Sequence, residues 1–191
     1  MIVRALRENE LAALLRLYTL LHPADPRLDP ESPRISHLWQ KMSSDPHIKY
    51  YAAEIKGKIV STCTLTIILN LTRNAQPYGL IENVFTDKSF RKRGIATAVL
   101  RYVLAEAWDA GCYKVMLFTG SKKEETLHLY ERAGFQQGKK DKLLSFEETS
   151  SVRQRKLAQP IGHDQVKKSI ALGYNNLRIM NIYARGFSSP E

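Results

Sequence analysis

The sequence predicts an α/β fold of the mixed α+β kind: a central mixed sheet with helices on both faces. Three observations carry that prediction. Apolar residues recur at helical spacing in several segments, runs rich in β-branched and aromatic residues lie between them, and glycine and proline mark the joins. The early strands are joined by a tight turn and the later ones alternate with helices, so antiparallel pairing gives way to parallel pairing along the chain. A chain of 191 residues can bury a sizeable core.

Residues 2–7 read as a short strand ended by Glu8-Asn9, with Asn9 as the N-cap of the first helix. Leu11, Leu14, Leu15, Tyr18 and Leu21 then line one side of that helix. Pro23, Pro26, Pro30 and Pro33 break the pattern into a loop. Ile35, Leu38, Trp39 and Met42 give a second helix over 36–42, stopped by Asp45-Pro46. Residues 50–55 and 59–68 are strands joined at Lys56-Gly57-Lys58, and a loop over 69–79 leads into a strand at 80–86. A helix over 95–110 places Ile95, Val99, Tyr102, Val103 and Ala107 together, and Gly111 suits the left-handed position that ends it. Residues 114–119 form a strand, 124–133 a helix closed by Gly134, and Phe135 opens another strand.

From Asp141 the composition shifts toward Ser, Gln, Arg and Lys, and Pro160, Gly162 and Gly173 interrupt any periodicity. The domain boundary is placed there. Residues 1–140 form one domain, and 141–191 a divergent C-terminal extension, either partly disordered or completing the sheet. Within it, 143–146 read as a short strand, 166–172 as two helical turns, and 177–183 as a segment apolar enough to pack.

No apolar run approaches the ~20 residues needed to cross a bilayer, so no membrane partner is expected. Residues 1–7 lack the apolar core of a signal peptide, and a cytoplasmic location is expected. Cys63 and Cys112 have no CxxC spacing and read as free thiols, and the five histidines are scattered, so no metal is expected. Lys and Arg outnumber Asp and Glu by 29 to 19, a net charge of +10. These cations are spread along the chain with few interleaved aromatics, which favours a phosphate-bearing small ligand over nucleic acid.

The anion site itself is legible in residues 80–96. A strand is followed by a basic loop with Lys88, Arg91, Lys92 and Arg93, then Gly94 at the mouth of a helix. The first turn of a helix leaves N–H groups unpartnered and carries partial positive charge. No Gly-Lys-Ser/Thr ending and no Gly-x-Gly-x-x-Gly is present, which excludes the common nucleotide loops.

Arg91-Lys92-Arg93-Gly94-Ile95-Ala96 fits the Gln/Arg-x-x-Gly-x-Gly/Ala pattern, and Tyr130-Glu131-Arg132-Ala133-Gly134-Phe135 fits a Tyr-x-x-x-Gly-Phe element further on. In that order, with these strands and helices around them, the two resemble the GNAT superfamily of N-acetyltransferases. The stretch resembles glucosamine-phosphate acetyltransferase-like members most. The resemblance implies a GNAT-type acyl-CoA N-acyltransferase fold with acetyl-CoA as cosubstrate. It implies diphosphate binding by Arg91 and the backbone of Lys92, Arg93, Gly94, Ile95, Ala96 and Thr97. It also implies a pantetheine arm along Val84, Phe85 and Thr86, where parallel strands splay apart. A main-chain N–H near Val84 would then act as an oxyanion donor worth ~2–4 kcal/mol.

In the same frame Tyr130 is the general acid and Glu82 the general base. Strand alternation puts Glu82 on one face with Val84 and Thr86, and Asn83 on the other in a structural role. Cys112 and His128 are not assigned catalytic roles. The family's asparagine ahead of the helix tyrosine is replaced by Lys123, with Thr119-Gly120-Ser121 as other polar candidates. The acceptor is a small-molecule or protein amine, contacted from residues 21–39 and 69–79, and a homodimer is compatible with the sequence. The alternative is a non-catalytic CoA-binding module with a degraded acceptor site.

Overall fold

The computed structural model describes residues 1–137 and 180–185. Strands β1 (Ile2–Ala5), β2 (Ile48–Ile55), β3 (Lys58–Ile68), β4 (Tyr78–Thr86), β5 (Lys114–Thr119), β6 (Gln136–Gln137) and β7 (Met180–Arg185) form one sheet in the order β1-β2-β3-β4-β5-β7-β6. Only β4 and β5 pair in parallel. Lys56 and Gly57 both take positive φ, 50° and 75°. A two-residue turn of that kind matches strand twist and closes the β2–β3 hairpin.

Helices α1 (Leu11–Leu21) and α2 (Pro33–Ser43) cover one face, and α3 (Ile95–Asp109) covers the other, with α4 (Glu124–Ala133) beside it. On the α3 face Val99, Leu100 and Val103 pack on Cys63, Leu65, Ile81, Val115 and Leu117. On the α1 face Leu17 packs with Ala52, Ile59 and Phe85, and Leu14 with Trp39 and Tyr50. A fully buried leucine such as Leu17 contributes about 1.5–3 kcal/mol, so this face alone fixes α1.

Several boundaries differ from expectation for local reasons. Pro33 starts α2 instead of breaking the chain: Ser32 is the N-cap, its Oγ accepting from the Ile35 N–H at 3.4 Å, and proline at the next position forfeits no bond. Asn9 does not cap α1 but lies inside a 3-10 turn, Glu8–Glu10. That corner is held by Arg4, which reaches Glu10 and Glu54 at 2.6 Å each and ties β1, the turn and β2 together. The loop before β4 contains a left-handed turn, with Arg73, Asn74 and Ala75 at φ 56°, 58° and 58°. Asn70 holds it by donating to the carbonyls of Thr72 and Gln76.

The largest departure is inside β4. Thr62 pairs with Phe85 and Thr64 with Glu82, so Cys63 alone opposes both Asn83 and Val84. This is a β-bulge, and Asn83 adopts φ 53° to make it. Ile81 consequently packs on the α3 side and Phe85 on the α1 side, although four residues apart in a regular strand they would share a face. The alternation expected for this strand therefore fails. Glu82 lies on the α1 face with its pair partner Thr64, while Val84 packs against the α3-side cluster.

Residues 180–185, from the segment set apart as an extension, insert between β5 and β6. Lys114–Thr119 pair antiparallel with Met180–Arg185 along their full length, and Gln136 and Gln137 pair with Tyr183 and Ile182. The strand expected at 143–146 and the helical turns expected at 166–172 lie outside the described residues.

Candidate active site

The end of β4 and the start of α3 are built as one anchored unit. Asp87 is buried and caps a 3-10 turn, Lys88–Phe90, accepting from the Ser89 N–H at 3.1 Å. Its other oxygen takes Arg16 of α1 at 3.1 Å, and Arg16 also donates to the Ile59 carbonyl at 2.7 Å. Burial alone would raise the Asp87 carboxyl. The Ser89 N–H, Arg16 and Lys58 outweigh it and hold the group below the usual carboxylate range. Ser61 Oγ donates to the Phe85 carbonyl at 2.8 Å, which leaves the Thr86 hydroxyl to donate to Ser61 Oγ at 2.8 Å.

Beyond this anchor the chain turns through the basic loop. Lys92 has φ 61° and Gly94 φ 74°, and Gly94 is the N-cap of α3 with no side-chain cap. The first bond into the helix runs from the Ala98 N–H to the Gly94 carbonyl at 3.0 Å, so the amides before it open toward the loop. A Cβ added at Gly94 would meet no heavy atom within 4 Å. Arg91, Lys92, Arg93 and Gly94 are exposed. Arg91 is partly committed to structure, its Nε donating to the Thr86 carbonyl at 2.9 Å and its guanidinium lying 5.3 Å over the Phe85 ring. Arg93 lies 5.5 Å over Phe90. Lys92 and Glu125 approach to 3.9 Å, but both are over four-fifths exposed and the pair is worth little.

The side chains of Phe85, Thr86 and Ile95 are buried, so those positions offer a ligand only backbone. The paired register of β4 and β5 stops at Ile81↔Leu117, and past it the two strands separate. Glu82 and Asn83 are exposed at this opening on one side. On the other, Tyr130 of α4 is buried edge-on to Phe135, ring centroids 6.2 Å apart, with Thr119 at the end of β5 beside its hydroxyl. Burial raises the Tyr130 phenol, partly offset by Thr119, and keeps it protonated near neutrality. Gly134, at φ 109°, ends α4, and the Phe135 N–H returns to the Tyr130 carbonyl at 3.0 Å.

Glu82 and Val84 thus follow the last β4–β5 pair, Tyr130 and Val84 belong to the cluster on the α3 face, and residues 91–97 follow the end of β4. Glu82 and Tyr130 approach from opposite faces of the sheet. Lys123 takes the N-cap position of α4, and Ser121 supplies the polar contacts there, bonding Thr126 Oγ1 at 3.2 Å and accepting from the Lys123 N–H at 3.4 Å. His128 pairs with Glu131 on the surface. Cys63 and Cys112 are buried free thiols. Among the described residues no group of three or more His, Cys, Asp or Glu could hold a metal, and no helix is long and apolar enough to cross a membrane.

Sequence reasoning did not single out Tyr18 and Thr64. Tyr18 Oη lies 3.2 Å from Thr64 Oγ1, with the Asn83 side chain near the same hydroxyl. Helical spacing marked Tyr18 only as inward-facing. An asparagine within a strand pattern, tolerant of left-handed φ, is the one signal from which the bulge could have been read.

A mixed sheet opened between its two parallel strands, with a basic helix mouth beyond the gap, is the architecture of acyl-CoA N-acyltransferases. The chain belongs to the acetyltransferase (GNAT) family, whose model matches residues 13–135, and members of this family use acetyl-CoA as cosubstrate. It is 30% identical over 133 residues to the glucosamine 6-phosphate N-acetyltransferase of Trypanosoma brucei brucei, covering 70% of this chain and 87% of that protein. A solved structure of a proposed acetyltransferase from Agrobacterium tumefaciens str. C58 superposes with a TM-score of 0.70 at 38% identity, covering 76% of this chain and all of the other. The glucosamine-6-phosphate N-acetyltransferase of Arabidopsis thaliana shares the fold, with a TM-score of 0.61 at 21% identity over 78% of this chain and 97% of that one.

Proposed function

We propose that this chain transfers the acetyl group of acetyl-CoA to a primary amine by direct attack of the amine on the thioester. The observation that supports it is the end of β4–β5 pairing after Ile81↔Leu117, with Glu82 just past that register on β4 and Tyr130 in the cluster on the opposite face of the sheet. The residues present suit the cosubstrate. Open space above Gly94, unpartnered amides at the α3 mouth and three exposed cations match a diphosphate.

Acetyl-CoA, when bound, supplies an activated acyl group. Arg91, Lys92, Arg93 and the amides up to Thr97 would hold its phosphates, and the backbone of Val84, Phe85 and Thr86 would hold its pantetheine. Backbone N–H groups at the bulge polarise the carbonyl. Glu82 takes one proton from the amine, directly or through a water. As the N–C bond forms and the C–S bond breaks, the Tyr130 hydroxyl gives its proton to the departing thiolate, and the second nitrogen proton passes through a water to restore the phenol. The Trypanosoma relative's name puts phosphorylated amino sugars first among acceptors, with other small amines and protein amines behind them.

An assay of thiol release from acetyl-CoA over glucosamine 6-phosphate, glucosamine, polyamines and peptide N-termini tests this. Amine-dependent release is the expected result. The absence of release with every amine, together with no thermal stabilisation by acetyl-CoA, would overturn it.

A further inference from the structure

We infer that Tyr18 is a positioning residue for the transfer proposed above, acting as a clamp from α1 on the β4 bulge. A clamp helps the bulge because Asn83 holds φ 53°, a conformation asparagine adopts more readily than most residues but one that the extended backbone of a regular strand competes with. Were Asn83 to relax and β4 to regularise, the strand would slip by one residue. Val84 would exchange faces relative to Glu82, and the backbone donor at the opening would be lost.

Tyr18 is placed to prevent this. Its hydroxyl lies 3.2 Å from Thr64 Oγ1, and Thr64 is the buried pair partner of Glu82 on the near side of the bulge. The Asn83 side chain also lies near this hydroxyl, so the tie to β3 sits at the irregularity. The tie is to a rigid element, because Leu14 and Leu17 fix α1 against the sheet with almost no exposure. Two residues before Tyr18, Arg16 grips Asp87 and the Ile59 carbonyl at the far end of β4. One helix therefore grips the sheet on both sides of the bulge, at Thr64 opposite Glu82 and at Asp87. Tyr18 works through the backbone that it fixes and not through the reacting atoms.

The test is Tyr18→Phe, with Thr64→Val and Thr64→Ser as companions. Amide hydrogen exchange of the free protein is read at Asn83 and Val84 and compared with Val99 in α3. Losing one net hydrogen bond raises exchange at the bulge by about tenfold and leaves Val99 unchanged. In the transfer assay kcat falls by about tenfold, while KM for acetyl-CoA stays within about twofold. Thr64→Val reproduces both effects and serves if Tyr18→Phe does not fold, and Thr64→Ser, which keeps a hydroxyl, behaves as the parent protein. Unchanged exchange at Asn83 and Val84 in the Phe and Val variants overturns the clamp, as does an equal rise at Val99. A parent protein that acetylates no amine sinks the proposed function instead, and the exchange experiment still decides the clamp.

Discussion

Gly94 and Gly111 form a matched pair that separates backbone strain from ligand approach. Both hold left-handed φ, 74° and 78°, and a Cβ added at either meets no heavy atom within 4 Å. Alanine at either position therefore costs only the left-handed strain, about 1–2 kcal/mol. In a chain of this size that lowers Tm by about 2–8 °C, equally for the two variants. They differ in place. Gly111 follows the C-terminal end of α3, whereas Gly94 stands at its mouth, where the proposed diphosphate approaches the main chain.

Acetyl-CoA at about 100 times its Kd stabilises the native state by about 2.7 kcal/mol. If the methyl of Gly94→Ala weakens binding about tenfold, the same concentration gives only about 1.4 kcal/mol. The ligand-induced rise in Tm then shrinks by about 3–5 °C in Gly94→Ala and not at all in Gly111→Ala. Thermal scans of the three proteins with and without acetyl-CoA read both quantities at once. Equal ligand-induced rises in all three would refute the phosphate-cradle role of Gly94, whatever the free proteins do.

The remaining predictions concern protons and acid stability. Tyr130→Phe should lower turnover by about a hundredfold or more and leave stabilisation by acetyl-CoA unchanged; equal turnover would remove this hydroxyl from the mechanism. Glu82→Gln should lower kcat/KM by about a hundredfold near neutral pH, and added amine of low pKa should recover part of the loss, because it arrives already deprotonated. If the loss is the same for every amine, Glu82 is not the base. Asp87 is held below its ordinary range, so its stabilisation is complete above the unfolded value of ~3.9 and disappears as pH falls through the lower native value. Asp87→Asn should therefore be less stable near neutrality and lose less stability on acidification. Denaturant midpoints measured from pH ~7 down to ~2 check this, and parallel curves for the two proteins would show that the Arg16–Asp87 tie does not act through charge.

What the sequence made legible is what backbone geometry restricts. Gly94 and Gly134 occupy left-handed positions that most residues avoid, and the motifs around them could be recognised because those positions admit few substitutes. The faces of α1 and α3 followed from spacing only in part: Leu14, Ile95, Val99, Val103 and Ala107 are buried as expected, but Leu17, Leu100 and Leu104 are buried outside the stripes read from the sequence, and Tyr102 is exposed. The bulge was not legible from alternation, because a period of two carries no record of an inserted residue. Only Asn83, in a run of strand formers, hinted at it. Pro33 was ambiguous because proline both breaks helices and begins them, and Ser32 before it decides the case. The strand at Met180–Arg185 depends on pairing with distant Lys114–Thr119 and Gln136–Gln137, which no local pattern encodes.

The bulge also bears on the choice between direct transfer and an acyl-enzyme. In a regular β4, Glu82 and Val84 would share a face, and a base on that face would compete for space with the polarised carbonyl. With the bulge, Glu82 faces α1 and Tyr130 lies across the sheet. With this arrangement a base on one side of the gap and a proton donor on the other do not crowd each other, which suits the proposed direct transfer. A covalent carrier would need an accessible, ionisable nucleophile at the gap. Cys63 lies opposite the bulge, but it is wholly buried and burial pushes its thiol up to about 12, so it stays protonated. Cys112 is buried as well and its thiol is also raised by burial. Both cysteines therefore belong to the core, and neither competes with the proposed proton path from the amine through Glu82 and from Tyr130 to sulfur.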